Sequence, residues 1–348
     1  MRKPTLQDVA RAAGVSYATA DRVLNARGLV AEKSQRRVQK AIEELGYERD
    51  LHAANLSRRR VYRFCFVLPQ GDHSFFRFLR EAVGEEQARR KFDRISADVV
   101  EFPAFDSDAL ADALGRLDPG YDCVAVVAAE TPRPTAAIAA LVASGVPVVT
   151  LVGDAAAQVR AAYVGIDNLV AGATAGRLLR LAHRSRTGRI LPVLGAFGSR
   201  DHRERLEGAL RVLGEPGSGL EVLDAIAVHD RPETMFDLVS EAVSQHEITG
   251  IYSIGAGNRG LIRVLEGMRE TLPFVVVHEL TPTTRDGLER NLLDAVIDQK
   301  PAQEVALAMD VMKAIVDGQE LPGAARSITP TIYLKDNLPP QGSEGAQT

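Results

Sequence analysis

The sequence predicts a two-part fold: an all-α headpiece of three short helices, then an α/β body of two doubly wound parallel sheets. Three observations predict it. Residues 1–60 show capped, striped helix patterns with glycine between them. From residue 63 onward, apolar runs alternate with amphipathic segments. Charge divides at the same place: the first 60 residues hold thirteen Lys/Arg against seven Asp/Glu, a net +6, and the remainder is −10, within a total of −4. A basic head on an acidic body implies that only the head meets a polyanion.

Composition bounds the rest. At 348 residues the chain exceeds one small core, and 45% hydrophobic with 25% charged residues is a globular profile. No apolar run reaches the roughly eighteen residues needed to span a bilayer. No apolar signal core follows the Met-Arg-Lys-Pro-Thr start, so the expected location is cytoplasmic, without membrane contact. Two cysteines, Cys65 and Cys123, show neither metal spacing nor a disulfide framework. Both sit in apolar runs and are expected as buried free thiols.

The head reads in order. Thr5 can N-cap a helix over residues 6–12, with Asp8 completing a capping-box-like pair. Leu6, Val9, Ala10 and Ala13 share one face. Gly14 permits the left-handed turn that follows. Ser16 caps a second helix over 17–24, with Ala20, Val23 and Leu24 inward and Tyr17, Ala18, Asp21, Arg22 and Asn25 outward. A third helix over 32–45 carries the stripe Val38, Ala41, Ile42, Leu45 and stops at Gly46. Its start is weakened by Ala31, which has no capping side chain. Three short helices with a tight turn between the first two make a helix-turn-helix, although any small three-helix bundle would show such caps and stripes.

The particular residues decide between these. T-L-Q-D-V-A-R-A-A-G-V-S-Y-A-T-A-D-R-V-L-N, residues 5–25, resembles the DNA-binding signature of the lactose-repressor (LacI/GalR) family. The resemblance implies that Tyr17, Ala18 and Arg22 face base edges, while Thr5, Ser16, Thr19 and Asn25 belong to the same DNA-contacting set, Ser16 and Thr19 on phosphates. Arg22 is suited to guanine O6 and N7 together. Asp21 stands where the family usually has serine, and its carboxylate suits either cytosine N4 or a neighbouring Arg. In the linker, A-A-N-L places Leu56 where family members wedge a leucine into a minor-groove step. Arg58, with Arg59 and Arg60, would then lie against phosphates; a flexible basic linker is the alternative.

In the body, apolar runs fall at 64–68, 123–127, 146–152, 190–194, 251–254 and 274–277, with helical stretches at 76–91, 134–143, 171–182 and 203–213. Pro134 suits a first helical turn. This alternation predicts parallel sheets wrapped by helices, with ligand bound beyond the strand C-termini. V-L-P-Q-G-D-H-S-F-F, V-G-I-D-N, and F-V-V-V-H-E followed by A-V-I-D-Q resemble periplasmic sugar-binding proteins of the ribose-binding type. That likeness implies a type I periplasmic-binding-protein-like effector domain, with Asp72, Phe75, Phe76, Asn168, Arg203, Glu279 and Gln299 lining its cleft. Phenylalanine faces stack on C–H surfaces, and Asn, Gln, Arg and Glu each reach two hydroxyls, which fits a sugar or polyol. Each also has an ordinary alternative: Phe75 or Phe76 as core, Asn168 as a helix cap, Arg203 as a surface charge. Ribose-type binders often carry Asp-Arg where this chain has Val152 and Gly153, which argues against a simple pyranose.

Gly255-Ala256-Gly257-Asn258-Arg259-Gly260 fits G-x-G-x-x-G after a strand, a dinucleotide fingerprint in isolation. As an effector loop, the same segment would point Asn258 into the cleft. His73, His202 and His278 are expected to hydrogen-bond ligand rather than bind metal, and no catalytic motif or cofactor is expected. The Pro/Gly-rich end lacks a leucine heptad, which argues for a dimer over a tetramer. The domains are then 1–48 head, 49–62 hinge and linker, 63–335 effector-binding and dimerisation body, and 336–348 disordered tail. The resemblance implies a non-enzymatic, ligand-responsive repressor of a sugar or polyol operon, a homodimer on pseudo-palindromic double-stranded DNA. An exported transport binding protein and an NAD-dependent enzyme are the rivals.

Overall fold

The computed structural model describes residues 4–24, 30–46, 61–71, 74–184, 187–255, 257–268, 272–321 and 328–340, and it divides into two compact units, Met1–Arg60 and Val61–Thr348. In the first unit, α1 (Leu6–Ala12), α2 (Tyr17–Leu24) and α3 (Glu32–Leu45) pack around Val9, Ala10, Ala13, Ala20, Val38 and Ala41. Alanine on the facing stripes lets short helices approach closely enough to bury a core from so few residues. Thr5 closes the capping box, its Oγ1 accepting from Asp8 N at 3.3 Å while Asp8 Oδ2 accepts from Thr5 N at 2.9 Å. Gly14 takes φ 60°, and Arg37 donates to its carbonyl at 2.8 Å, tying α3 to the turn. Two stripe residues fall outside the core: Leu24 is half-buried, and Leu45 is exposed at the last position of α3, where the chain turns away at Gly46. Ala31 caps α3 without any side-chain bond.

The second unit begins with β1 (Tyr62–Gln70), α4 (Ser74–Arg89), β2 (Ile95–Pro103), α5 (Ser107–Gly115), β3 (Cys123–Val126), α6 (Pro132–Ala143), β4 (Val148–Leu151) and β5 (Ala162–Val164). These strands form a parallel sheet in the order β2-β1-β3-β4-β5. β1 is buried along nearly its whole length, as a central parallel strand covered on both faces must be. The strand starts at Tyr62, one residue before the expected edge of the body, and the Tyr62 hydroxyl is bonded to Asp317 at 2.8 Å. The β2 segment, I-S-A-D-V-V-E-F-P, shows no apolar run because it is an edge strand with half its positions in water. Cys65 and Cys123 are buried and free, and burial pushes both thiols up to about 12.

Then follow α7 (Asn168–Ala182), β6 (Gly188–Leu194), α8 (Arg200–Leu213), β7 (Leu220–Val222), β8 (Ile226–Ala227), α9 (Pro232–Gln245), β9 (Gly250–Ser253), α10 (Asn258–Gly267), β10 (Phe274–His278), α11 (Pro282–Glu289), β11 (Ala295–Asp298), α12 (Pro301–Asp317) and β12 (Thr331–Tyr333). The second sheet runs β12-β11-β10-β9-β6-β7, with β8 also pairing β6, and among the described residues only the β11–β12 pairing is antiparallel. α12 leaves this sheet and packs on α4, β3, β4 and β5 of the first. The chain therefore passes between the sheets three times: after β5, after β11, and between α12 and β12. Ile166 and Ile328 bridge two of those passages.

The expected disordered tail begins too early. Pro339 O accepts from Arg285 at 2.6 Å, Asn337 Nδ2 donates to Ile332 O at 3.0 Å, and Leu338 packs on the second core. Residues 336–340 are thus part of the body, held by a buried guanidinium; 341–348 lie outside the described residues. Among the described residues no helix is long and apolar enough to cross a membrane.

Candidate functional site

In the head, α2 turns Ala20 inward and leaves Tyr17, Ala18 and Arg22 exposed, Tyr17 by 54%. Asp21 is half-buried. Ser16 Oγ accepts from Thr19 N at 3.1 Å and lies 2.9 Å from Thr19 Oγ1. Of two hydroxyls bonded to each other, one keeps its proton, so the pair can cap α2 and still donate to a phosphate. The Thr5 hydroxyl is taken up by Asp8 Oδ2 at 2.7 Å. Asn25, Leu56 and Arg58 lie outside the described residues, as do Asp72 and His73 in the body.

The body gathers its polar residues beyond the C-terminal ends of the strands, where open α/β sheets bind ligands. Asn168 opens α7 just after the first passage between sheets, and Asp167 beside it caps that helix through Val170 N at 3.0 Å. The Asn168 side chain is therefore free of capping duty, and its Oδ1 accepts from Arg205 Nε at 2.8 Å. Arg205 Nη1 also donates to Ile254 O at 3.2 Å and stands 3.8 Å from Glu279 Oε1. Gln299, at the second passage, donates its Nε2 to that same carboxylate oxygen. Glu279 itself adopts φ 68°, held by Thr284 Oγ1 donating to its carbonyl at 2.7 Å and by its own N–H on Ile297 O at 3.0 Å. Arg205, Asn168, Glu279 and Gln299 are all more than nine-tenths buried.

Helix packing fixes this arrangement. A Cβ on Gly172 would fall 1.9 Å from Arg205 O, and one on Gly208 would fall 2.1 Å from Leu169 O. Only glycine at both crossings lets α7 and α8 touch backbone to backbone, which sets Asn168 and Arg205 opposite one another.

Electrostatics in the cluster is dominated by burial. Burial pushes the Glu279 carboxyl up to about 8, with Arg205 and the Gln299 bonds opposing and Asp298 reinforcing the shift. Glu304, in the first turn of α12, is wholly buried and raised well above the usual carboxylate range, first by burial and then by Glu279. Asp298 is raised too, although Leu280 N at 3.0 Å and Lys300 N at 3.1 Å each donate to one of its oxygens. Burial lowers His278 well below the usual imidazole range, so the ring is neutral, 2.8 Å from the Tyr252 hydroxyl. His202 is also buried, and its Nδ1 accepts from Ala196 N at 3.3 Å. Among the described residues no group of three or more His, Cys, Asp or Glu is placed to hold a metal.

Three further residues of the expected cleft set stand in different surroundings. Phe75, in the first turn of α4, is buried in the large core, edge-on to Phe76 at 5.5 Å between centroids, and Phe76 is half-buried against the same core. Arg203 is 46% exposed and donates to Phe197 O and Gly198 O at 3.1 and 2.8 Å. It reaches across the cleft only at the rim, where Arg203 and Arg200 stand 3.4 and 3.5 Å from Glu130, which follows β3. The buried guanidinium belongs to Arg205, two residues on. Arg205 and Glu304 are absent from the sequence-based set; both lie on the apolar stripe of their helix, which is the signal that points to them. Asn258 is buried, and its Oδ1 accepts from Ser253 Oγ at 2.7 Å.

The glycines of the 255–260 loop answer to packing. A Cβ at Gly260 would meet Pro232 O at 1.9 Å, Gly257 takes φ 89°, and a Cβ at Gly255 would meet Asp230 Oδ1 at 2.8 Å. A carboxylate there opposes a pyrophosphate, so the dinucleotide reading loses its footing. Surface depressions over α10 and α11, and over α7, α8 and β12, share no residue with the cluster.

Comparison with known proteins agrees with this geometry. The family model for bacterial regulatory proteins, lacI family, matches residues 5–50, and that for the periplasmic binding protein domain matches residues 64–320. Both describe a regulator or a binding domain rather than an enzyme. The HTH-type transcriptional regulator DegA of Bacillus subtilis is 35% identical over 83 residues, 24% of this chain and 25% of its own. The HTH-type transcriptional regulator reg1 of Streptomyces lividans is 29% identical over 212 residues, 61% of this chain and 59% of its own. The matched stretches thus span between a quarter and three-fifths of these relatives. Among solved structures, GanP, a glucose-galactose binding protein from Geobacillus stearothermophilus, superposes with a TM-score of 0.71 at 20% identity, covering 80% of this chain and 99% of that one. This last likeness is one of fold.

Proposed function

The chain belongs to the lacI family of bacterial regulatory proteins, its body a periplasmic binding protein domain, and on that premise we propose that it is a DNA-binding transcriptional regulator whose hold on its operator answers to a small molecule of the sugar or polyol class. The observation that carries this reading is the position of the buried cluster. Asn168 and Gln299 sit at passages between the two sheets, so a ligand bonded to them bears on how the sheets close over it. Ligand favours one closure state and operator-bound heads favour another, and each shifts the affinity for the other. The glucose-galactose specificity named for the structural neighbour, and the regulator names of the sequence relatives, support the two halves of this reading.

In this scheme Tyr17, Ala18 and Arg22 read bases in the major groove, Ser16 and Thr19 hold phosphates, and Leu56 with Arg58 forms the minor-groove hinge. The protein acts in the cytoplasm as a homodimer on a pseudo-palindromic site with half-sites about one helical turn apart. Its sense is repression of genes for uptake or breakdown of the ligand. The test begins with an operator selected in vitro from random duplexes with the full chain. Its affinity is then measured by anisotropy across a sugar and polyol panel. At least one compound should change affinity by about fivefold or more. An operator affinity unmoved by any compound that stabilises the protein would overturn the linkage.

A further inference from the structure

The buried cluster is unbalanced in both hydrogen bonding and charge. Its unpartnered acceptor atoms are Glu279 Oε2, Gln299 Oε1 and both oxygens of Glu304; its unpartnered donor is a single Arg205 Nη2, with His278 Nδ1 able to act either way. All five side chains are more than nine-tenths buried. With both carboxyls ionised, four acceptors would stand against one fixed donor. Charge is skewed the same way. Among the described residues Arg205 is the cation acting on Glu279 and Glu304, while Asp298 has Lys300 beside it and each of its oxygens met by a backbone N–H. A buried carboxylate lacking a donor costs several kcal/mol, so burial alone holds Glu279 and Glu304 protonated, and they ionise only against a group that brings donors and positive charge together.

A hydroxyl brings one donor with two acceptors and no charge, and the acceptors would add to the surplus. An ammonium brings three donors, no acceptor and one positive charge. We propose that the ligand of this cleft carries a positively charged amino group on a polyhydroxylated frame, with the ammonium between Glu279 and Glu304 and its hydroxyls on Arg205, Asn168 and Gln299. This rests on reading the cluster as the effector site and narrows the ligand class within that reading. Hydrogen bonds from an ammonium to buried carboxylates are charge-assisted, about twice as strong as neutral ones.

The test uses the full chain and matched pairs that differ in one group: glucosamine with glucose, galactosamine with galactose, and an aminocyclitol with its parent cyclitol. The N-acetyl form of each amine keeps the nitrogen and loses the charge. Thermal shift ranks the compounds, and calorimetry at pH 7 measures those that bind. At least one amine should bind about tenfold or more tightly than both its hydroxyl parent and its N-acetyl form. Glu304→Gln should remove that preference, and Glu279→Gln serves as the second variant should the first fail to fold. A parent sugar or cyclitol that binds as well as its amine overturns the cationic ligand and leaves the sugar-class reading standing. An amine preference that survives both variants overturns the assignment to these carboxylates. Amines that all fail to bind overturn the proposal, and polyols that fail with them remove the sugar-class reading as well.

Discussion

On the proposed reading the head and the cleft each present side chains to another molecule, and they hold them in opposite ways. In the head, Tyr17, Ala18 and Arg22 project into water, which satisfies the polar groups of Tyr17 and Arg22. The helix that carries them is secured by Ser16, Thr19 and a core of small residues on the other side. In the cleft, Arg205, Glu279, Gln299 and Glu304 are buried with atoms left unpartnered. Each such atom costs about 1–3 kcal/mol in the empty state, more where charged. The difference is one of coupling. Recognition in the head is separable from stability, whereas in the cleft the two draw on the same groups, so occupancy and stability move together.

The sharpest way to break this contrast is to disturb the helix pair beneath the cleft. Gly172→Ala puts a Cβ 1.9 Å from Arg205 O, so α7 and α8 must separate. Chemical unfolding of the full chain should show a loss of about 3 kcal/mol. A variant as stable as the parent would mean that Arg205 is not fixed by that crossing. Next comes pH. The folded-state value of Glu279 is raised above its unfolded one, to about 8, so the native state keeps a proton that the unfolded chain releases. Stability from this group is therefore present below about 4.5 and lost as pH rises through about 8, by on the order of 5 kcal/mol. Arg205, Asp298, Gln299 and Glu304 surround it, and Glu304 shifts in the same direction. Urea midpoints at intervals from pH 5 to 8.5 should fall, and Glu279→Gln should flatten the slope. A rising profile would contradict the burial of an unpaired acid.

Arg22→Ala tests the other side of the contrast. It should cost about 2 kcal/mol in specific operator binding, with a thermal stability change under about 0.5 kcal/mol. A large stability loss would tie the reading face to the head's core after all. The smallest effect is Ala31→Ser, which supplies the missing cap of α3 and should raise the unfolding free energy of the head by about 1 kcal/mol without touching ligand binding. Separate melting of the two units would show it most clearly.

What the amino-acid sequence makes legible follows the range of the forces involved. Caps, the Gly14 turn and the inner stripes of α1 to α3 depend on residues within a turn or two, and the head can be read from them. The buried strands β1, β3, β4, β6, β9 and β10 announce themselves as apolar runs. β2 does not, because an edge position tolerates Asp98 and Glu101. In the cleft, motif adjacency suggests Arg203, while helix geometry selects Arg205, which lies four residues before Ala209 and seven before Val212 on the buried face of α8. Glu304 stands in the same relation to Ala308 and Val311. Glu86 occupies an equivalent stripe position in α4, yet Arg90 pairs with it at 2.5 Å and it is structural. A charged residue on an apolar stripe is therefore visible in sequence, but whether it is paired is settled only when distant elements meet.

The rim of the cleft works on a different quantity from its floor. Glu130 stands 3.4–3.5 Å from Arg203 and Arg200, side chains that are roughly a third to a half exposed. Such contacts contribute little to equilibrium and weaken as salt shortens the screening length, whereas the buried groups below are shielded from it. The rim is a doorway and the floor a lock. On the proposed reading, rising ionic strength should speed both entry and exit of the ligand while leaving the choice of molecule unchanged, so that residence time rather than selectivity would answer to salt.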